Sequence, residues 1–195
     1  MKRALLPLVG AALILLALPT QTRAQDVWTL EFRGGAAFPT GDAGDDLDTG
    51  MGLEGTLAYR LLPHLAVYGG WDWHRFTPTD EGAAGDLEET GYAFGLRWEH
   101  PLSGESGNGL AYRVHAGGTY NHLELEDEAG DLVADSGHGL GWEVGAGLTF
   151  PLAGGWRLTP GVRYRSLSRD LEVGEVTSEV DLTYLAVEVG LSLRF

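Results

Sequence analysis

The chain has 195 residues, with 13 basic and 28 acidic side chains, a formal net charge of −15 and no cysteine. A chain this acidic repels nucleic acid, so we expect no nucleic-acid partner. The lack of cysteine excludes a disulfide framework and a thiolate metal site.

The first 24 residues have the pattern of a secretory signal peptide. Two basic residues precede an apolar run at positions 4–18, and a short polar stretch then ends at Ala24. This pattern predicts cleavage after Ala24, with Gln25 as the new N-terminus and a single domain over residues 25–195. An uncleaved anchor is disfavoured because the run is short for a membrane span and contains Pro7. Cleavage would leave ten arginines, no lysine and a net charge of −18.

Beyond residue 24 the hydrophobic pattern alternates with a period of two, which predicts β-strands. Eight such segments follow one another, near residues 28–38, 51–59, 65–73, 92–98, 110–120, 140–150, 156–164 and 185–195. No apolar run in this part of the sequence approaches the length of a transmembrane helix. If the chain spans a membrane, it must therefore do so as a closed barrel, which satisfies all backbone groups in lipid.

The connections between these segments alternate in length. Short or middling ones fall near residues 62–64, 100–109 and 151–155, and long ones near 39–50, 77–89, 123–137 and 167–178. Short turns at one end and long loops at the other are typical of outer-membrane barrels. The sequence thus predicts an all-β fold, an eight-stranded antiparallel up-and-down transmembrane β-barrel with both termini at the end of the short turns.

Aromatic residues lie at both ends of nearly every strand on the apolar face. One end has Trp28, Tyr59, Trp98, Tyr112, Phe150, Trp156 and Phe195, and the other has Phe38, Trp71, Trp73, Tyr92, Tyr120, Trp142 and Tyr164. Between them the apolar face is mainly aliphatic. Two aromatic belts around an aliphatic band are typical of a surface that meets lipid. This arrangement favours a membrane barrel over a soluble barrel, in which the apolar face would point inward.

The opposite face carries glycine and charge, including eight of the ten arginines outside the signal segment. Side chains fill the interior of an eight-stranded barrel, and a buried ion without a partner is strongly destabilising. We therefore expect a plug of ion pairs rather than a pore, formed by Glu54, Arg97, Glu99, Arg113, Glu143, Arg163, Glu188 and Arg194. Which pairs form stays open, and a narrow channel is the alternative. By parity His74 and His115 also face the lumen, where we expect them to join the hydrogen-bond network.

Pro160 is discordant with its predicted strand. Proline cannot donate to a β-ladder, and a closed barrel has no edge strand to hold it. We expect a bulge or a local break at this position in the seventh strand.

The last strand alternates up to a terminal aromatic residue, through Val187, Val189, Leu191, Leu193 and Phe195. This stretch resembles the C-terminal assembly signal of outer-membrane barrels, and the whole chain resembles the small OmpA/OmpX-type, porin-like outer-membrane β-barrel family. The resemblance implies a monomer in the outer membrane of a Gram-negative bacterium, with periplasmic termini and extracellular loops. It also implies contact with the barrel-assembly machinery during biogenesis, and with outer-membrane lipid and lipopolysaccharide afterwards.

The long connections are strongly acidic and, with Glu179 directly after the last of them, hold 19 of the 28 acidic residues. Carboxylates at this density could bind Ca²⁺ or Mg²⁺ and bridge these ions to lipopolysaccharide phosphates, and the candidates in the first connection are Asp42, Asp45, Asp46 and Asp48. No EF-hand spacing is present. Solvated, mutually repelling loops are the favoured alternative, and we expect no cofactor.

For function, we expect a structural role in envelope integrity. The alternatives are adhesion or ligand binding through the loops, a narrow channel, and a lipid-modifying enzyme. We expect no enzyme, because no histidine is followed by serine in the His-x-Ser order of lipid A deacylases. Ser136 and His138 have that spacing in the reverse order.

Overall fold

The computed structural model describes residues 26–80, 85–102, 109–127, 129, 131–173 and 176–195. The predicted signal segment and its cleavage site at Ala24 and Gln25 lie outside these residues. The strands are β1 (Trp28–Pro39), β2 (Gly50–Leu62), β3 (Leu65–Phe76), β4 (Asp86–Pro101), β5 (Ala111–Glu126), β6 (Leu132–Asp135), β7 (Gly139–Pro151), β8 (Trp156–Val173) and β9 (Val176–Arg194). A short helix, α1 (Ala43–Asp46), follows β1, and a 3₁₀ turn (Ala153–Gly155) precedes β8. Within the described part of the chain, no helix is long and apolar enough to cross a membrane.

Eight of the strands form a closed antiparallel barrel, as predicted. Each pairs with its neighbours in chain order, and β1 closes the ring on β9, with Thr29 opposite Arg194. The backbone N–H of Trp28 donates to the carbonyl oxygen of Phe195 at 2.9 Å. The short strand β6, which was expected to be loop, pairs only with β5 beyond the end of β7. We call the end where β1 begins and β9 ends, which also holds the short connections, the turn end, and the opposite end the loop end.

The alternation places apolar side chains outside the barrel and polar side chains inside it. On β2, for example, Leu53 is 59% exposed whereas Glu54 is 3% exposed. The cross-strand register aligns Trp71, Tyr92 and Tyr120 side by side on β3, β4 and β5 near the loop end. These aligned aromatic residues form part of one belt of the outward, apolar surface.

The strands extend further at the loop end than the sequence indicated. β8 and β9 stay paired as far as Val173 opposite Val176, so the long loop expected over 167–178 is wrong. β4 likewise begins at Asp86, inside the expected second loop. The error has a physical cause: acids such as Asp170 lie on the outward, exposed face of strands that continue past the aromatic belt. Acidic residues at this density are typical of solvated loops, so the composition indicated a loop.

Inside these extensions the buried side chains are mainly apolar, with Arg169 among them. The buried side chains that fill this end, which we call the loop-end cap, are Phe76, Leu87, Leu123, Leu167, Leu171 and Leu182. Ala43 of α1 and Ala134 of β6 belong to the same cluster. The first loop and the extra strand thus contribute to a small hydrophobic core that closes the loop end of the lumen.

Pro160 interrupts one of its two ladders. On the β9 side the pairing is continuous, with Pro160 opposite Val189. On the β7 side the pairing stops at Gly147 opposite Gly161 and resumes in the same register at Phe150 opposite Leu158. The expected irregularity is therefore confirmed as a local break, without a bulge.

Gly52 makes room for a buried histidine, which yields a testable prediction. A Cβ at Gly52 would lie 2.1 Å from Cδ2 of His74 on the neighbouring strand. We expect Gly52→Ala to lower the free energy of unfolding by about 1–3 kcal/mol, since overpacking a filled interior forces side chains from their rotamers. Urea unfolding in lipid vesicles, followed by gel mobility of unheated samples, measures the change.

The matched control is Gly69→Ala, because an added Cβ there would meet nothing closer than 3.9 Å. We expect it to change stability by less than about 0.5 kcal/mol. Combining Gly52→Ala with His74→Ala removes the steric clash, so the two effects should not add. Equal destabilisation by Gly52→Ala and Gly69→Ala would argue against the steric account.

Candidate functional site

The lumen holds a set of ion pairs, buried at its centre and partly exposed at the turn end, which we call the lumen network. All eight barrel strands contribute to it, because the inward parity of each strand carries at least one charged residue. Its members are Glu31, Arg33, Glu54, Asp72, Glu89, Arg97, Glu99, Arg113, Glu143, Arg157, Arg163, Arg165, Glu188 and Arg194.

Arg163 lies at the centre of the network and is fully buried. Its Nη1 contacts Glu54 and lies 3.3 Å from Oε2 of Glu143, and its Nη2 lies 2.5 Å from Oε1 of Glu188. One guanidinium group therefore joins β2, β7 and β9 through β8. Such bidentate geometry is available to arginine but not to lysine.

Arg165, next on the same face of β8, forms a second hub toward the loop end. Its Nη1 donates to Oδ1 of Asp72 at 2.7 Å and to Oε1 of Glu89 at 2.9 Å. Its Nη2 donates to Oε2 of Glu143 at 2.6 Å. The amide nitrogen of Asn121 donates to Asp72 at 3.0 Å and to Glu89 at 2.6 Å. These contacts supply the donors that buried carboxylates require.

Two tyrosine hydroxyls extend the network. Tyr68 donates to Glu143 at 2.6 Å, and Tyr184 donates to Glu89 at 2.7 Å. The Tyr68 ring also lies 5.4 Å from the guanidinium carbon of Arg97, a cation–π distance. Tyr68 therefore links the loop-side half of the network to the half nearer the turn end, whereas Tyr184 adds a donor on the loop side.

In the half of the lumen network nearer the turn end, one carboxylate pairs with three arginines. Oε2 of Glu31 lies 2.8 Å from Nη1 of Arg97, and Oε1 lies 2.7 Å from Nη1 of Arg113. Nη2 of Arg33 lies 3.3 Å from Oε1 of the same residue. Positive charge is therefore concentrated around Glu31.

Glu99 likewise pairs with more than one arginine, closer to the turn end. Its Oε1 accepts hydrogen bonds from Arg157 and from Arg194, each at 2.8 Å. The Thr149 hydroxyl donates to Oε2 at 3.3 Å. Two arginines therefore share a single charged oxygen at the mouth of the barrel.

These contacts show which of the expected ion pairs form. Three of the expected carboxylates, at positions 54, 143 and 188, meet at Arg163, whereas Arg194 contacts Glu99. Arg97 and Arg113 contact Glu31 instead of any of the four carboxylates expected for them. Inward parity indicated Glu31, but parity gives the face of a residue and not its height along the barrel axis.

Glu89 of the network and the buried Arg169 beyond it are absent from the predicted charge network for identifiable reasons. Glu89 was assigned to a loop, although it is fully buried on β4. Arg169 was left outside the lumen because β8 was expected to end near residue 164. It is buried, and its guanidinium donates to the backbone carbonyls of Asn121 and Leu140, each at 3.0 Å. Arg169 lies four residues after Arg165 and therefore on the same face of β8. The alternation along this strand could have predicted that Arg169 faces the lumen.

The two lumen histidines differ in their contacts. Nη2 of Arg163 lies 3.3 Å from Nε2 of His74, and because arginine only donates, this imidazole nitrogen accepts. Nδ1 of His74 lies 3.8 Å from Asp72 and 3.9 Å from Glu89. Contrary to expectation, neither ring nitrogen of His115 has a hydrogen-bond partner among the described residues.

The four aspartates considered for a metal site lie at and around α1. Asp45 and Asp46 are within the helix, and Asp42 and Asp48 flank it. In the described ranges, none of the four belongs to a trio of carboxylate or imidazole ligands close enough to share an ion. The helix therefore does not gather them into a cation site.

A row of acids does form on the outer face of the loop-end extension, beyond the aromatic belt. The register places Glu124 on β5 opposite both Glu88 on β4 and Asp135 on β6. Nδ1 of His122 lies 3.3 Å from Asp135. Partial burial and the nearby carboxylate of Glu88 raise the pKa of Glu126 at the end of β5. Like charges facing each other across strands are mutually unfavourable.

Ser136 and His138 do not contact each other as a catalytic pair would. The Ser136 hydroxyl accepts from the backbone N–H of Leu123 at 2.8 Å and donates to the carbonyl of Gly137 at 2.9 Å. The His138 ring stacks on that of His122, with centroids 4.4 Å apart. The serine is thus engaged with the backbone.

Residues 9–195 match the family model described as outer membrane protein beta-barrel domain. The chain belongs to this family. The resemblance inferred from the strand count and the last strand is thereby confirmed, and the protein is an outer-membrane β-barrel. None of the curated proteins matches the sequence.

Several solved outer-membrane proteins share the fold. Neisserial surface protein A has 16% identity and a TM-score of 0.62, with 89% of this chain and 100% of that chain covered. OprG of Pseudomonas aeruginosa has 15% identity and a TM-score of 0.57, with 87% and 97% covered. AlkL, solved in DMPC bilayers, has 16% identity and a TM-score of 0.54, with 91% and 95% covered. At these identities the likeness shows the fold alone.

Proposed function

We propose that the protein is a structural outer-membrane barrel with a closed lumen, which contributes to the integrity of the envelope. The observation that carries the proposal is the loop-end cap, in which Phe76, Leu123 and Leu182 are fully buried inside the barrel. Directly beneath it, Arg163 and Arg165 are also fully buried. An apolar layer over a charged layer leaves little space for a water-filled path.

The energetics support a closed state. An ion crossing the lumen would have to displace Arg163 from its three carboxylates and then cross the apolar cap. Removing one partner of a buried pair costs about 3–5 kcal/mol, and transfer of an ion into apolar surroundings costs more. Wide aqueous channels belong to barrels of about 16 strands.

The proposal also includes an orientation of the barrel in the outer membrane and a set of partners. The termini and short turns face the periplasm and the acidic loop end faces the exterior, following the usual asymmetry of such barrels. The outward apolar band contacts outer-membrane lipid and lipopolysaccharide, and divalent cations near the acidic rim bridge to lipopolysaccharide phosphates. The barrel-assembly machinery recognises the last strand up to Phe195. The barrel acts as a monomer without enzymatic activity.

Recording from planar lipid bilayers tests whether the lumen is closed. We expect the purified, heat-modifiable protein to insert without producing current steps in potassium chloride. A 16-stranded porin added to the same chamber serves as the positive control. Reproducible steps whose frequency rises with the amount of inserted barrel would contradict the closed lumen and favour a narrow channel.

A further inference from the structure

A cavity of about 320 Å³ occupies the turn end of the lumen, on the opposite side of the lumen network from the loop-end cap. It is enclosed by the turn-end parts of most barrel strands. The charged residues around it are Glu31, Arg60, Arg97, Glu99, Arg113, Arg157 and Arg194. Five guanidinium groups therefore face two carboxylates.

This positive charge contrasts with the rest of the protein. The whole chain has a net charge of −15. The central and loop-side half of the lumen is rich in acids, where Arg163 and Arg165 meet Glu54, Asp72, Glu89, Glu143 and Glu188. The lumen is thus polarised along its axis, with its unbalanced positive charge at the turn end.

The two carboxylates at the cavity are already shared among several arginines. Glu31 contacts both Arg97 and Arg113, and a third arginine approaches it from inside the lumen. Within the described part of the chain Arg60 makes no ion pair, and its Nη2 donates to the backbone carbonyl of Asp26. Nε of Arg97 is buried and has no hydrogen-bond partner among the described residues.

Neighbouring arginines at this mouth also repel one another. Arg157 and Arg194 both donate to the same oxygen of Glu99, each at 2.8 Å, so their positive charges lie close together. Like charges in a cleft with apolar walls raise the local potential, because the low dielectric focuses the field. Buried positive charge without a counter-ion is strongly destabilising, so the site favours an anion.

The donor chemistry narrows the class of anion. Guanidinium groups bind planar or tetrahedral oxyanions through paired N–H groups, and phosphate is a preferred partner. A cavity near 320 Å³ lies at the lower end of the size range for small-molecule sites. Arg97 and Arg113 are buried at its inner part, whereas Arg194 is partly exposed at the rim.

We propose that the turn-end cavity is a binding site for a small, soluble, multiply charged oxyanion of the phosphate class. The buried arginines form its floor, and Arg60 and Arg194 form its rim. The proposed anion site depends only on the charge and shape of this cavity and not on a closed lumen. Bilayer recordings that showed conduction would therefore not contradict it.

Pyrophosphate is the probe, because it is small and carries several negative charges at neutral pH. Its binding to the folded protein in an uncharged, phosphate-free detergent is followed by calorimetry and by ³¹P NMR. We expect saturable binding that weakens as salt is added. Arg60→Met should lower the affinity about tenfold, since it removes one charge-assisted contact at the rim.

The matched control is Arg75→Met, which removes the same charge from the exposed loop-end rim and should leave the affinity within about twofold of the parent. No binding of pyrophosphate, or equal loss in the two variants, would overturn the site. In a third arm the protein is titrated with phosphatidylglycerol in the same detergent. Saturable binding of that lipid without binding of pyrophosphate would assign the cavity to a lipid headgroup and overturn the soluble-anion proposal.

Discussion

Arg163→Met is expected to lower the free energy of unfolding by about 3–5 kcal/mol, one of the two largest effects of any single substitution considered for this barrel. The substitution keeps most of the buried volume but leaves Glu54, Glu143 and Glu188 without their shared cation. Arg33 and Arg165 compensate only in part, because Arg33 pairs with Glu54 and Glu188 at the longer distances of 3.8 and 3.7 Å, and Arg165 retains close contact with Glu143 alone, at 2.6 Å. Urea unfolding in lipid vesicles, read from the gel mobility of unheated samples, measures the loss.

Two companion variants separate charge from packing. Arg75→Met removes an arginine whose side chain is 40% exposed and whose partner is Asp86, so it should cost less than about 1 kcal/mol. Adding Glu54→Gln to Arg163→Met removes one of the stranded charges and should restore part of the stability. A loss of less than 1 kcal/mol for Arg163→Met would show that the central pairs do not stabilise the barrel.

The faces of the strands could be predicted from the sequence because they depend on a local rule. A period of two fixes which side of a strand each residue occupies, and burial at Arg97, Arg113 and Arg163 follows this rule. The partner of Arg113 could not be predicted in this way. Glu31 lies 82 positions away on a strand across the barrel, and the two meet only because of the stagger of the closed sheet.

At the loop end, the acidic composition led to a wrong prediction of loops in place of strands. Leu87 and Leu123 share the inward parity of the lumen arginines, so the pattern for continuing strands was present in the sequence. Acidic residues near these leucines indicate a loop by composition, although Glu124, for example, lies on the outer face of paired strands. Where strands leave the membrane, the outward face meets water and the inward face can become an apolar core, which reverses the chemistry without changing the period.

The loop-end cap predicts the second large effect, in the variant Leu123→Ala. Leu123 is fully buried in the cap, and truncating a buried leucine costs about 2–5 kcal/mol. The cap lies beyond the aromatic belt, so this cost should fall on local opening of the strand extensions rather than on the membrane-embedded barrel. Cleavage by proteinase K added to intact cells should therefore be at least about 30-fold faster than in the parent.

The matched control is Leu57→Ala, because Leu57 faces outward between the belts and is 44% exposed. It should leave the cleavage rate of the loop end unchanged, while both variants keep the heat-modifiable gel mobility of a folded barrel. Equal cleavage rates for Leu123→Ala and the parent would show that the cap does not hold the extensions together. Cleavage of Leu123→Ala only after cell lysis would instead contradict the proposed orientation, since the loop end would then face the periplasm.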